Sequence, residues 1–593
     1  MNFYVKLKKN KLGYNVYHRC LSQFEASYLK KCDANYAHLT PISFLERSAE
    51  QYPTVIAHVN GNDKKTWGDV YISSRKIASS LNRLGIKKND VVSIIAPNSP
   101  SIFDCHFGIP GSGAVLHTIN TRLDAKTIAF QLNHCKAKVL LVDSEFSKLV
   151  QDVMVLLKES AIDYPLPYII DIHDNEYKTT SPLQKIGSID YDTFVANGDS
   201  NFNLIRPKDE WDTIALNYTS GTTGDPKGVV VHHRGAYLNS LSNLIEWNMH
   251  RFPHFLWIVP MFHCNGWCFT WSMAATTGTS YFLRQIRAES LFDIIEKNKI
   301  EYLSGAPITM ITMLGYEKKF KFNHTIKMWA AGAPPPQAVM RRFRDEIGVS
   351  VQTAYGLTET YGPMSAHVVD PHEDWKHLNS EELLLKSTYQ SSDCTVESMK
   401  VFDPETMVPV PADGKTIGEI MIKGNTVMKG YLGNENATLK AFEQGWFHTG
   451  DLAVNHGRGR VEIKDRSKDV IISGGENISS IEVENILLNH EAIEETAVIA
   501  MSDAKWGEVP CAFITIRSTF KGNRNGLEDE IMKWSKTKMA GFQTPKKVII
   551  LDALPKTNTG TTITNNTYTY INTNISREST EICFKNTITK IIT

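Results

Sequence analysis

The sequence predicts an α/β protein, with a large N-terminal domain of α/β sheets that carries a small β unit and a small α+β domain behind it. From about Asn35 onward, apolar strand-like runs alternate with helical spacing, the pattern of helices covering a largely parallel sheet. The stretch from Asp403 to Gly433 turns rich in Gly and Pro with short runs such as Glu419-Ile420-Met421-Ile422, which reads as a small antiparallel β unit appended to the α/β body. A charged pentapeptide, Asp465-Arg466-Ser467-Lys468-Asp469, then separates two apolar regions, and 593 residues exceed what one core organises.

Taken in order, Met1 to Phe24 carries Lys6, Lys8, Lys9, Lys11 and Arg19 with no acid. This basic start is compatible with a transit peptide or with a disordered extension, here bounded at residues 1–35. Residues 36–465 form the large domain. Its expected strands are Val91–Ile95, Lys138–Val142, Leu256–Val259 and Lys327–Ala331. Between them Val70, Ile77, Leu81 and Leu84, and later Val339, Phe343 and Ile347, recur on one helical face. In the small domain, 466–560, a helix over Ile481–Leu487 is capped by Ser479 or Ser480, and Ala497–Ala500 and Cys511–Ile516 read as strands. After Gly560 the composition changes to Thr, Asn and Ile, an atypical tail over 561–593.

Charge and cysteine usage narrow the function classes. With 64 basic and 64 acidic residues and a sequence pI near 7.3, no footprint for nucleic acid or an anionic membrane is present. No apolar run reaches the roughly 20 residues that cross a bilayer. The nine cysteines are scattered, and Cys264-Asn-Gly-Trp-Cys268 lacks the second pair of a zinc site, so reduced thiols of an intracellular protein are expected. The partner expected is a small molecule.

The chemistry concentrates in one loop, Tyr218-Thr219-Ser220-Gly221-Thr222-Thr223-Gly224-Asp225-Pro226-Lys227-Gly228. Glycine lets backbone N–H groups approach an anion, Thr219, Ser220, Thr222 and Thr223 add hydroxyls, and Lys227 adds charge, so the loop suits phosphate. Its context, Thr213–Leu216 leading in and Gly228–Val231 leading out, is strand-loop-strand, and its spacing is not that of a P-loop ending on a helix. Tyr355-Gly356-Leu357-Thr358-Glu359-Thr360 sets a hydroxyl beside a carboxylate, and phosphate chemistry with Mg²⁺ asks for one or two carboxylates. Gly332-Ala333-Pro334-Pro335-Pro336 sits between a strand and a helix, where open α/β sheets bind ligands. Trp446-Phe447-His448-Thr449-Gly450-Asp451-Leu452 places Asp451 to accept two hydrogen bonds from a ribose diol. Met261-Phe262-His263-Cys264-Asn265-Gly266-Trp267 joins a histidine to aromatics, a composition also found in ordinary cores.

This ordered series resembles the adenylate-forming (AMP-binding) superfamily, in the manner of plant acyl-activating enzymes of acyl-CoA synthetase type. The resemblance implies ATP, CoA and Mg²⁺ as cofactors and a short- or medium-chain or aromatic carboxylic acid as substrate. It implies that the Thr219–Lys227 loop holds phosphate, that Thr358 contacts phosphate and that Glu359 holds Mg²⁺. Gly332, Ala333 and Tyr355 would line the nucleotide site, Asp451 and Arg466 the ribose, and His263 the acid. The resemblance also implies that the small domain is mobile: Lys468 would be the hinge, and Gly474, Gly475 and Glu476 the loop that swings in for CoA. The family implies a peroxisomal or cytosolic location, with a mitochondrial one open from the basic start. One departure stands out: where the family carries Pro-Lys-Thr-x-x-Gly-Lys, this chain reads Pro555-Lys556-Thr557-Asn558-Thr559-Gly560-Thr561. Either adenylation is impaired or the segment from Thr561 onward comes from an altered reading of the gene. Three readings follow: an acid–CoA ligase, an adenylation-impaired nucleotide- and acyl-binding protein, or an adenylating enzyme with another acceptor.

Overall fold

The computed structural model describes residues 8–9, 15–16, 28–160, 164–179, 184–219, 226–332, 335–367, 380–466, 469–473, 476–503, 505–518 and 520–554. Among the described residues, two large sheets, one of 8 strands and one of 13, organise most of the fold. The first has at its centre Thr213–Tyr218, Val115–Thr118, Val91–Ile95, Val139–Asp143 and Tyr168–Ile172, all parallel. All five residues of Val91–Ile95 and of Val139–Asp143 are buried, as strands covered on both faces require. In the second sheet the parallel set is Ile56–Asn60, Thr279–Phe282, His254–Trp257, Tyr302–Gly305, Ile326–Ala330 and Val349–Leu357.

Most expected elements lie within a residue or two of their places. The helix Trp67–Arg83 starts on a capping box between Thr66 and Asp69 and buries Val70, Ile77 and Leu81. Leu84 does not belong to that face. It closes the helix as its C-cap and is 42% exposed. The strand expected at Leu256–Val259 is His254–Trp257, because Ile258 and Val259 already lead into the turn at Pro260.

The Asp403–Gly433 segment is not an appended unit. Its strand Ile417–Gly424 lies antiparallel between Val396–Phe402 and Phe447–Asn455, and so continues the 13-stranded sheet. Its last residues, Gly430–Tyr431, cross to the other sheet and pair with Gly228–His232. The two sheets are also clasped by Arg284, 7% exposed, which bonds Asp143, Glu145 and Asp174. A guanidinium so enclosed is held by its three carboxylate partners, and removing one member of such a group is costly.

The residues past Asp469 build a separate five-stranded sheet with its own core, including Val483, Leu487, Val498, Ile514 and Ile531. Its first helix, Ser480–Leu487, is capped by Ser479, which accepts from Glu482 N. No helix among the described residues is long and apolar enough to cross a membrane, and the described cysteines, Cys32, Cys105, Cys135, Cys264, Cys268, Cys394 and Cys511, are free thiols.

One buried carboxyl gives a stability prediction. Asp393 is 2% exposed, Ser242 Oγ donates to its Oδ2 at 3.2 Å, and Oδ1 has no partner. Burial, reinforced by Glu246, pushes its pKa up to about 8. With the folded pKa raised, the stabilisation is complete below the unfolded value near 3.8 and is lost as pH rises toward about 8. Asp393→Asn is therefore expected to flatten this slope and to be more stable than the parent at pH values above 8, by on the order of a few kcal/mol. Thermal midpoints of both proteins across that range decide it; parallel profiles would refute the assignment.

Candidate active site

The phosphate-type loop closes a hairpin. Thr213–Tyr218 and Gly228–His232 pair antiparallel, Thr219 N donates to Lys227 O at 3.0 Å, and Lys227 is exposed at the mouth. Ser220, Gly221, Thr222, Thr223 and Gly224 lie outside the described residues. The Lys227 ammonium sits 4.9 Å over the Tyr431 ring, a cation–π contact. Tyr431 in turn donates its hydroxyl to Glu359 Oε1 at 2.8 Å.

Glu359 belongs to a single 3₁₀ turn, Thr358–Thr360, at the C-terminal end of Val349–Leu357. The turn reverses tightly: an added Cβ at Gly356 would stand 2.0 Å from Gly362 O, so only glycine fits. Burial raises the Glu359 pKa, and the Tyr431 hydroxyl and the Lys227 charge partly offset it. Tyr355, on the same strand, donates its hydroxyl to Asp451 Oδ2 at 2.7 Å. Asp451 lies opposite Arg466 in the pairing of Phe447–Asn455 with Arg460–Arg466, and Arg466 Nε is 3.4 Å from its Oδ1. Asp451 is also close enough to raise the Glu359 pKa. The turn after Val349–Leu357 therefore joins the loop lysine, the acid Glu359 and the Asp451–Arg466 pair into one site.

His263 ends the turn that begins at Pro260, its N–H donating to Pro260 O at 3.0 Å. Burial alone lowers its pKa to about 4, so at neutral pH it is an uncharged imidazole. The backbone after it is unusual: Cys264, Asn265, Gly266, Trp267 and Cys268 all have φ between 42° and 66°. A left-handed turn costs roughly 1–2 kcal/mol per non-glycine residue, and such strain persists only where neighbours over-determine it. Gly266 is also required sterically, since a Cβ there would meet the Trp257 ring at 2.7 Å. Cys264 Sγ lies 3.6 Å from Thr358 Oγ1, which brings this turn against the turn Thr358–Thr360. Trp257, Trp267 and Trp271 are all buried, as core residues.

Gly332 follows the strand Ile326–Ala330 with φ 87°, a left-handed position that glycine adopts freely. Ala333 lies outside the described residues, and so do Lys468, Gly474, Gly475, Lys556 and Thr561. Glu476 opens the strand Glu476–Ile478 of the small sheet, paired with Ser473, whose other neighbour is Gly507 beside an exposed Trp506.

Residues 45–432 match the sequence profile of the AMP-binding enzyme family, and residues 482–561 that of the AMP-binding enzyme C-terminal domain. The chain belongs to the AMP-binding enzyme family. Within it, the chain is 44% identical over 540 residues to the peroxisomal acetate/butyrate–CoA ligase of Arabidopsis thaliana, covering 90% of this chain and 94% of the relative. It is likewise 44% identical over 540 residues to the acetate–CoA ligase of Humulus lupulus, with the same coverage. The peroxisomal benzoate–CoA ligase of Arabidopsis thaliana is 41% identical over 546 residues, 90% of this chain and 93% of that one. Among solved structures, an anthranilate CoA ligase in complex with anthranoyl-AMP superposes with a TM-score of 0.79 at 20% identity, covering 92% of this chain and 100% of that chain. The o-succinylbenzoate CoA synthetase of Bacillus subtilis with ATP and magnesium gives 0.71 at 24%, covering 88% and 98%. These last two show the fold of adenylate-forming enzymes, a large α/β domain followed by a smaller one.

Two groups of residues in this family member were not singled out from its sequence. Tyr431 was hidden in the Gly-rich segment, although a tyrosine between Gly430 and Leu432 beside a strand was a cue. Asn217 and Tyr361 both bond Asn265 across long sequence separations, and no local signal marks them.

Proposed function

We propose that the chain is an AMP-forming acid–CoA ligase. It would couple ATP and a short- or medium-chain or aromatic carboxylate into acyl-AMP and pyrophosphate, then transfer the acyl group to the CoA thiol. The observation that carries this reading is the junction of Tyr355, Asp451 and Arg466 with Glu359 and Lys227 in one site. A carboxylate oxygen is a poor leaving group; joined to AMP it becomes part of an anhydride that a thiol can cleave. Such phosphoryl chemistry asks for positioning and charge neutralisation rather than a covalent intermediate.

In this reading Asp451 takes the ribose hydroxyls, with Tyr355 and Arg466 fixing its carboxylate. Lys227, with the loop Ser220-Gly221-Thr222-Thr223-Gly224, binds the departing phosphates. Gly332 and Ala333 leave room for the adenine, and Thr358 donates its hydroxyl to phosphate. Glu359, a half-buried carboxylate supplied with one hydroxyl donor, fits a Mg²⁺ ion, which takes one or two carboxylates beside phosphate oxygens. That ion would supply positive charge to the triphosphate. His263, neutral, orients the acid without competing for its charge. Lys468 would serve as hinge and Gly474, Gly475 and Glu476 as the CoA loop. Relatives named for acetate, butyrate and benzoate support a small acid, and those named peroxisomal support that compartment, with no support for a mitochondrial one.

A panel of short, medium and aromatic acids with ATP and CoA tests the proposal by AMP and pyrophosphate release. ATP hydrolysis without AMP would overturn it. The adenylation-impaired reading rests on Thr561 and predicts tight acyl-AMP binding with little turnover from free acid. At the ribose, Asp451→Asn removes the charge from the accepted hydrogen bonds and is expected to weaken ATP binding about tenfold, roughly 1.4 kcal/mol. Calorimetric ATP titration checks this; an unchanged affinity would move the ribose elsewhere.

A further inference from the structure

We propose that Asn265 is a positioning residue for acid activation, a hub that fixes His263 against Thr358. The inference rests on the ligase reading above and on His263 as the residue facing the acid.

Asn265 is fully buried at the centre of the left-handed turn. Its Oδ1 accepts from Asn217 Nδ2 at 2.7 Å and from the Tyr361 hydroxyl at 3.0 Å, and its Nδ2 donates to Thr118 Oγ1 at 3.0 Å. Its main-chain N–H donates to Asn217 Oδ1 at 3.2 Å, so the two asparagines are bonded both ways. Thr118 Oγ1 also donates to Phe262 O at 3.1 Å, so the hub grips the chain on both sides of His263.

The partners are not arbitrary pieces of core. Asn217 precedes Tyr218, the residue that opens the phosphate-type loop. Tyr361 follows the turn that carries Thr358 and Glu359. The hub thus ties the three segments that must meet in adenylation, and Cys264, next to Asn265, touches Thr358 directly. Asparagine is among the few non-glycine residues that tolerate positive φ, and only a side chain with both acceptor and donor serves all these partners. Misplacing reacting groups by about 1 Å costs on the order of 100-fold in rate, so such a tie has kinetic consequences.

Asn265→Gly keeps the backbone conformation available and deletes the hub. In the full chain it is expected to slow acid-dependent ATP–pyrophosphate exchange by roughly 30-fold or more, with KM for ATP within about twofold. Affinity for a non-hydrolysable acyl-sulfamoyl adenosine should fall about tenfold while AMP affinity stays within about twofold, and the rate of thioester formation at saturating supplied acyl-AMP should stay within about threefold. Tyr361→Phe, which removes one hydroxyl, should give a smaller loss that is not additive with Asn265→Gly. Exchange within about threefold of the parent would overturn the proposal. So would a parallel fall of AMP binding, thioester formation and thermal midpoint, the signature of a scaffold role. If Asn265→Gly does not fold, unchanged exchange in Tyr361→Phe overturns it. A parent chain that binds neither ATP nor the acyl-adenylate analogue refutes the ligase reading itself and takes the Asn265 role with it.

Discussion

Thr561→Lys is expected to raise acid-dependent pyrophosphate exchange by at least about tenfold, or roughly 1.4 kcal/mol. In adenylation an anionic carboxylate must approach an anionic α-phosphate, and an ammonium that touches both offsets their repulsion. In a site closed to water, losing one such contact costs on the order of 2.7–4 kcal/mol, about 10²–10³ in rate. A threonine hydroxyl is shorter than a lysine and uncharged, so the chain as written should adenylate slowly. By the hinge reading proposed above, it should still convert supplied acyl-AMP and CoA to thioester, since that step would use the small domain in a different arrangement about Lys468. Replacing the tail after Gly560 by a family-like helix together with the lysine should give the larger gain. If the parent already adenylates as fast as the lysine variant, another cation such as Lys556 substitutes, or the loop is misassigned.

The sequence made the parallel strands legible because residues buried on both faces leave unbroken apolar runs, as at Val91–Ile95. Asp451 and Arg466 are grouped by the family resemblance rather than by any local pattern, and strand register sets them opposite one another. What the sequence could not express was how antiparallel segments join sheets. Glu419–Ile422 reads as a strand in isolation, but its partners Val396–Phe402 and Phe447–Asn455 are chosen by register across the chain. The left-handed turn was equally hidden, since Cys264 and Trp267 have no preference for positive φ. It is stabilised by Asn217 and Tyr361, which are 48 and 96 residues from Asn265. Tyr431 escaped for a related reason. Its role depends on the short pairing of Gly430–Tyr431 with Val229–Val230, which carries it to the edge of the sheet that bears Lys227.

Glu359→Gln is the substitution expected to cost most. The glutamine keeps the volume and can still accept from Tyr431, so the turn Thr358–Thr360 should hold its shape. What is lost is the negative charge, and a neutral amide oxygen is a poor Mg²⁺ ligand. Adenylation should fall by roughly 10²–10³, the effect of removing one charged contact in a water-excluded site. Affinity for Mn²⁺ in the presence of ATP, read by electron paramagnetic resonance, should fall in parallel. The pH profile carries a second signature. Burial raises the Glu359 pKa, so protons compete with the metal at higher pH than for an ordinary carboxylate at 4.5. The acid limb of adenylation in the parent therefore lies above that of an exposed glutamate and disappears in the glutamine variant. Tyr431→Phe removes a hydrogen bond that favours the ionised carboxylate, so it should shift the limb further upward without abolishing metal binding. Unaltered Mn²⁺ affinity in Glu359→Gln would place the metal on other residues, and an acid limb that survives the substitution would assign it to another group.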